Sequence, residues 1–149
     1  MRRSVCENDH VSSATTTDEV ADEIRRHVEA LFDAFLAKDR VALREGRIEG
    51  WKGFQIPSTS LIRGVDRYMV DLEAALENLS VTRYEFLDFE VDVHTDIALV
   101  YYVARDWLDT PEGEKTILVR ALDVYGLQSD GWIQIGSNIC VVPDTPTSD

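Results

Sequence analysis

The sequence predicts one α+β domain, with helices packed on a curved, mainly antiparallel sheet. Three observations lead there. Apolar residues recur at helical spacing through the first half of the chain. Everything after Val81 alternates as strands broken by short polar turns. The 149 residues, 44% of them hydrophobic, are enough for one domain with a real core.

Residues 1–16 are polar and aperiodic and read as a disordered tail that includes Cys6 and His10. A capping box opens the first helix, because Thr16 can accept from the Glu19 amide while the Glu19 carboxylate reaches back. Val20, Ile24, Val28, Leu31 and Phe35 form its stripe, widened by Phe32 and Leu36, which predicts a helix over about 17–38. His27 borders that stripe and reads as a packed or half-exposed side chain. Lys38-Asp39 ends the helix, and 41–47 reads as a short second one. The segment 50–57 reads as a short strand bracketed by Gly50 and Gly53 and ended by Pro57. Val65, Met69, Leu72, Leu76 and Leu79 predict a third helix over about 65–79.

Four strands follow near 83–93, 97–108, 115–127 and 132–142, and their short connections predict antiparallel pairing. Asp130-Gly131 is a hairpin signal. Residues 143–149 read as a flexible tail, leaving 17–142 as the folded domain. The two middle strands are apolar on both faces, through Ile97–Val100 and Ile117–Val119, so both faces need cover. Helices cover one. A second copy of the chain is expected on the other, where Arg105, Trp107 and Arg120 supply residue types enriched at interfaces.

The charge is −13, from 28 acidic and 15 basic residues. Such a surface repels phosphates, which excludes nucleic-acid binding and disfavours anionic membranes. No apolar run approaches the roughly 20 residues that span a bilayer. The first residues lack the apolar stretch of a secretory leader, so a cytoplasmic protein is expected. Cys6 and Cys140 form no framework or metal spacing, and no glycine-rich phosphate loop is present, so no cofactor and no metal are expected. The acidic coat is a solvated surface of the kind that suits high salt. Its unfolding midpoint should rise with added KCl, and indifference up to molar KCl would remove that reading.

Strand alternation sorts side chains into faces. One face carries Ala98, Val100, Tyr102, Ala104 and Asp106, then Ile117, Val119, Ala121, Asp123 and Tyr125, then Gln134, Gly136, Asn138 and Cys140. Small or apolar groups with isolated polar ones suit a pocket for a small hydrophobic molecule. Asp123 is the sharpest candidate, a mid-strand carboxylate among apolar neighbours that costs several kcal/mol to bury unless paired or protonated. An ion pair with Arg105 or Arg120 is the structural alternative, although alternation turns Arg120 away. Tyr102 and Trp51 are candidates for the pocket wall, Tyr102 with a hydroxyl to orient a ligand. Tyr68, Tyr84, Tyr125 and Trp132 read as core aromatics.

Three segments resemble the NTF2-like superfamily and its SnoaL-like branch. Ala34-Phe35-Leu36-Ala37-Lys38-Asp39 is similar to its helix-ending step, and Leu61-Ile62-Arg63-Gly64-Val65-Asp66-Arg67-Tyr68 to its entry into helix three. Val124-Tyr125 followed by Asp130-Gly131-Trp132-Ile133-Gln134-Ile135 is similar to its closing hairpin. The resemblance covers 18–142 and implies a cystatin-like cone, its helices and sheet enclosing a pocket. The superfamily holds isomerases, epoxide hydrolases, cyclases and dehydratases beside binding modules, so fold alone does not settle function. Asp123 resembles the neutral oxyanion-hole aspartate of ketosteroid isomerases. Asp106 and Asn138 resemble the two aspartates that flank an arginine in limonene-type epoxide hydrolases, and Gln55 that family's water-holding amide. The chain departs from both patterns. Ala104 stands at the arginine's place, Asn138 is an amide that cannot act as a base, and the isomerase base falls at Ile56. The implied function is acid–base isomerisation, cyclisation or hydration of a small apolar substrate by Asp123 or Asp106. The alternative is a non-catalytic ligand-binding or dimerisation module.

Overall fold

Helix α1 (Thr17–Ala37) starts where the Glu19 amide donates to Thr16 Oγ1 at 3.2 Å, the forward half of the expected capping box. It stops at Lys38, whose φ of 54° is left-handed and whose amide donates to the Phe35 carbonyl at 3.1 Å. Asp39 then caps α2 (Arg40–Glu45) by accepting from the Ala42 amide at 3.1 Å. The chain continues through β1 (Arg47–Phe54), β2 (Ile62–Arg63), α3 (Val65–Asn78), β3 (Val81–His94), β4 (Ile97–Thr110), β5 (Gly113–Gln128) and β6 (Gly131–Pro143). This computed structural model describes residues 16–56 and 58–144. Residues 1–15 and 145–149 of the predicted tails, with Cys6 and His10, lie outside the described residues, as does Pro57. The carboxyl end of the domain reaches past the expected boundary: β6 extends to Pro143, and Asp144 pairs with Arg105 at 2.6 Å.

The six strands form one sheet in the order β2-β1-β6-β5-β4-β3. β3 to β6 are the predicted antiparallel meander, while β1 joins β6 in parallel and β2 caps β1. Register irregularities at Val81/Arg83 and Phe86/Asp88 in β3, and at Val124/Tyr125 opposite β6, bend the long strands around the helices. The second helix is shorter than predicted. Arg47, expected at its end, opens β1 instead and pairs in register with Gln134.

Two clusters of buried side chains hold the helices to the sheet. In one, Val20, Ile24 and Val28 of α1 meet Ala98, Val100, Tyr102, Ala104, Val119, Tyr125 and Trp132. In the other, Leu43, Trp51, Ile62, Val65, Tyr68, Leu72 and Leu76 join α2 and α3 to β1 and β2. Each fully buried aliphatic side chain stabilises the fold by roughly 1.5–3 kcal/mol. Phe32 of α1 lies edge-on to Tyr102 and Phe86, with centroids 5.6 and 5.2 Å away. Among the described residues no helix lies across the outer face of β4 and β5, and Tyr101 and Leu122 are 40% and 37% exposed there. His27 is half-exposed on α1, as its border position predicts. Among the described residues no helix is long and apolar enough to cross a membrane.

Candidate functional site

A cavity of about 190 Å³ opens where the two clusters meet, well beyond the roughly 10–15 Å³ that one water needs. Its wall is chiefly apolar, from Phe32 and Phe35 of α1, Leu72 of α3 and Val119 and Ile139 of the sheet. Into it face Trp51, Gln55, Tyr102, Asp106 and Asp123, together with Arg47, Tyr68, Gln134 and Ser137.

Asp123 sits in the middle of β5, 2% exposed, because the alternation of Val119, Ala121, Asp123 and Tyr125 turns it toward the helices. Ser137 Oγ donates to Asp123 Oδ1 at 2.6 Å from the neighbouring β6. Burial pushes the carboxyl up to about 6, while Ser137, the positive Arg47, Tyr102 and Gln134 hold it from rising further. The phenol of Tyr102, two positions away on β4, is raised well above its ordinary value, first by burial and then by the charge of Asp123. Gln134 accepts from Trp51 Nε1 at 3.0 Å, which fixes both groups at the buried end of the cavity. Arg47 stacks its guanidinium 4.2 Å from the Tyr68 ring centroid and donates through Nη1 to the Leu43 carbonyl at 2.7 Å.

Asp106 is not a solvated strand end. It is 8% exposed and lines the cavity, and burial alone pushes its carboxyl up to about 6. It is also remote from Asp123. Asp106 pairs with Ile117 and Asp123 with Val100, so the two acids lie six positions apart along either strand. That is at most about 20 Å of extended chain, too far for both to act on one reacting atom. The two acids therefore do not form one catalytic pair.

Asn138 is corrected too. It is exposed and lies on the opposite sheet face, beside Arg120, Leu122 and Cys140 in an open depression of about 320 Å³. The cause is a β-bulge. Tyr125 pairs with Gln134 and Val124 with Gly136, so Ile135 is an extra residue and the alternation of β6 slips by one. Ser137, Ile139 and Val141 face the cavity where Gly136, Asn138 and Cys140 were expected. Straight alternation along β6 hides Ser137, and Arg47 is hidden because it reads as the last residue of a short helix. Its only sequence signal was a basic residue at the entry to the glycine-bracketed strand. Tyr68, taken as a core aromatic, is buried and also lines the cavity.

No known family profile matches the chain, and no curated protein matches its sequence. Solved structures do. An NTF2-like protein of unknown function from Pseudomonas putida superposes with a TM-score of 0.73 at 18% identity, over 89% of this chain and 94% of the other. A dehydratase candidate of the NTF2-like family from Streptomyces avermitilis gives 0.72 at 18% identity, over 85% and 99%. The CaMKII hub of S. rosetta gives 0.70 at 15% identity, over 82% and 96%. At these identities the likeness concerns the fold.

Proposed function

We propose that this chain, an NTF2-like fold, binds a small, mostly apolar molecule in its cavity, with Asp123 as the acid–base group and Tyr102 orienting the substrate. One observation supports this above the others. A carboxyl held by Ser137 in an apolar cavity, with a pKa of about 6, exists in both protonation states near neutral pH. A proton carrier needs that property. Isomerisation, cyclisation, and hydration or dehydration next to a carbonyl lie within reach of one carboxyl and one hydroxyl. The candidate wall is completed by Trp51 and Gln55 on and just after β1, and Asn138 leaves the proposal for the reason given above.

The separation of Asp106 from Asp123 favours a second reading, a ligand-binding module without turnover. A panel of small enones and hydroxy ketones separates the two. For an enzyme, the parent converts at least one compound, Asp123→Asn loses about a hundredfold or more of that rate, and Asp130→Asn in the exposed turn loses none. Compounds that raise the unfolding midpoint without being converted would leave the binding module.

The uncovered outer face of β4 and β5 supports pairing of two copies through Tyr101, Leu122 and their neighbours. Sedimentation should report a dimer at micromolar concentration, and Leu122→Arg should shift it to monomer. A parent that stays monomeric at hundreds of micromolar would end this assignment.

A further inference from the structure

Among the described residues three buried side-chain atoms have no hydrogen-bond partner: Arg47 Nε, Asp106 Oδ1 and Tyr125 Oη. Tyr125 is outside the cavity lining. The other two belong to it, and they are opposite in kind. A guanidinium can only donate, whereas a carboxylate oxygen accepts. Folded proteins seldom leave such atoms unpaired, because each then carries the full desolvation cost of its group.

Their positions matter as much as their chemistry. Arg47 lies in the row of Gln134 and Tyr125, at the buried end with Trp51 and Tyr68. Asp106 lies beyond Asp123 and Tyr102 in the opposite direction, in the row of Ile117 and close to the exposed Leu79 and Val141 of the same lining. Past Asp123, Ser137 and Tyr102 the wall toward Asp106 is apolar, with Val119 and Ile139 of the sheet and Phe32, Phe35 and Leu72 of the helices in the same lining. The cavity thus has a donor end, an apolar middle and an acceptor end.

Resting on the reading of this cavity as a ligand site, the geometry points to an elongated ligand of two unlike ends. A carbonyl sits at the Arg47 and Asp123 end, and a hydroxyl or amine sits against Asp106, with an apolar body between them. Asp106 is then a specificity-determining group for the far end of the ligand and takes no part in proton transfer. The acidic surface of the chain, at −13, also favours a donor over an acceptor at that outer end.

Matched linear probes test this without knowledge of the natural ligand: ω-hydroxy methyl ketones of eight to fourteen carbons, the plain methyl ketones and the plain primary alcohols. Affinities come from calorimetry on the full chain. At one chain length the two-ended probe should bind about tenfold tighter than either one-ended probe, the worth of one buried hydrogen bond. Asp106→Leu should abolish the advantage, so that the two-ended probe binds the variant no better than the plain ketone does. The assignment is overturned if no length shows that advantage, or if Asp106→Leu weakens all probes alike. Ketones that bind without any two-ended advantage would keep the ligand site and remove only its polarity. Failure of every probe to bind would remove both.

Discussion

Asp123→Asn is expected to make the protein more stable at pH 8, by about 2 kcal/mol, while leaving its stability at pH 4 unchanged. Asp123 has its folded-state pKa raised to about 6, against about 3.9 for an unfolded aspartate. Below pH 4 both states hold the proton, and the group contributes nothing to the pH dependence. Between pH 4 and 6 the unfolded chain releases the proton that the folded one retains, so stability falls as pH rises. Above 6 the loss is complete, roughly 3 kcal/mol for two units of displacement. Asparagine does not ionise, and its oxygen can still accept from Ser137 Oγ, so most of that loss is recovered. The midpoint should climb by roughly 4–8 °C at pH 8. Asp106, raised to the same range by burial, leaves a residual slope in the variant. A parent whose stability is flat from pH 4 to 7 would mean that Arg47 and Tyr102 compensate the charge fully. Asp123 would then be an ordinary buried ion.

Gly53→Ala should cost more than about 3 kcal/mol, or leave no soluble protein. A methyl group at Gly53 would stand 2.9 Å from the Ser137 amide nitrogen, 2.8 Å from the Trp51 ring, and closer still to the Ser137 carbonyl oxygen. Across the same seam a methyl group at Gly136 would meet the Lys52 carbonyl oxygen at 2.6 Å. β1 and β6 therefore touch backbone to backbone, and no flexible side chain can yield. Forcing them apart would also loosen Trp51 from Gln134 and move the Ser137 hydroxyl that holds Asp123. Gly50→Ala is the internal comparison, since a methyl group there meets nothing within 4 Å. It should change stability by less than about 0.5 kcal/mol. Chemical denaturation of the two variants side by side decides the matter, and a mild Gly53→Ala would show that the seam can open.

The elements that sequence pattern specified are those with long, uninterrupted periods. The α1 stripe and the inward sets of β4 and β5 follow their alternation without a slip, because fourteen paired rows tie those strands together from Ile97 to Gly126 and from Thr110 to Gly113. Short elements left less trace. β2 is two residues long, too few to show alternation, and it exists because β1 offers it an edge. Arg47 reads equally well as the last residue of a helix or the first of a strand, and tertiary pairing with Gln134 decides. The parallel contact of β1 with β6 joins segments some eighty residues apart, and its sequence trace is a pair of glycines in different strands. For the candidate site, Asp123 and Tyr102 could be assigned to a face because their strands are regular. Asn138 could not, because a single unpaired residue five positions before the end of the usable pattern reverses everything after it.

The extra residue at Ile135 also separates two properties of the cavity that a straight strand would couple. Gln134 and Ser137 both face inward with two residues between them, where regular pairing needs only one. Loss of one of those two residues would keep each half of β6 on its present side and merely straighten the corner. A relative one residue shorter at this point would therefore line its hollow with the same chemical groups in a shallower shape. Gain of a residue between Ile135 and Ser137 would do the opposite, exchanging serine and aliphatic groups for amide and thiol at nearly constant depth.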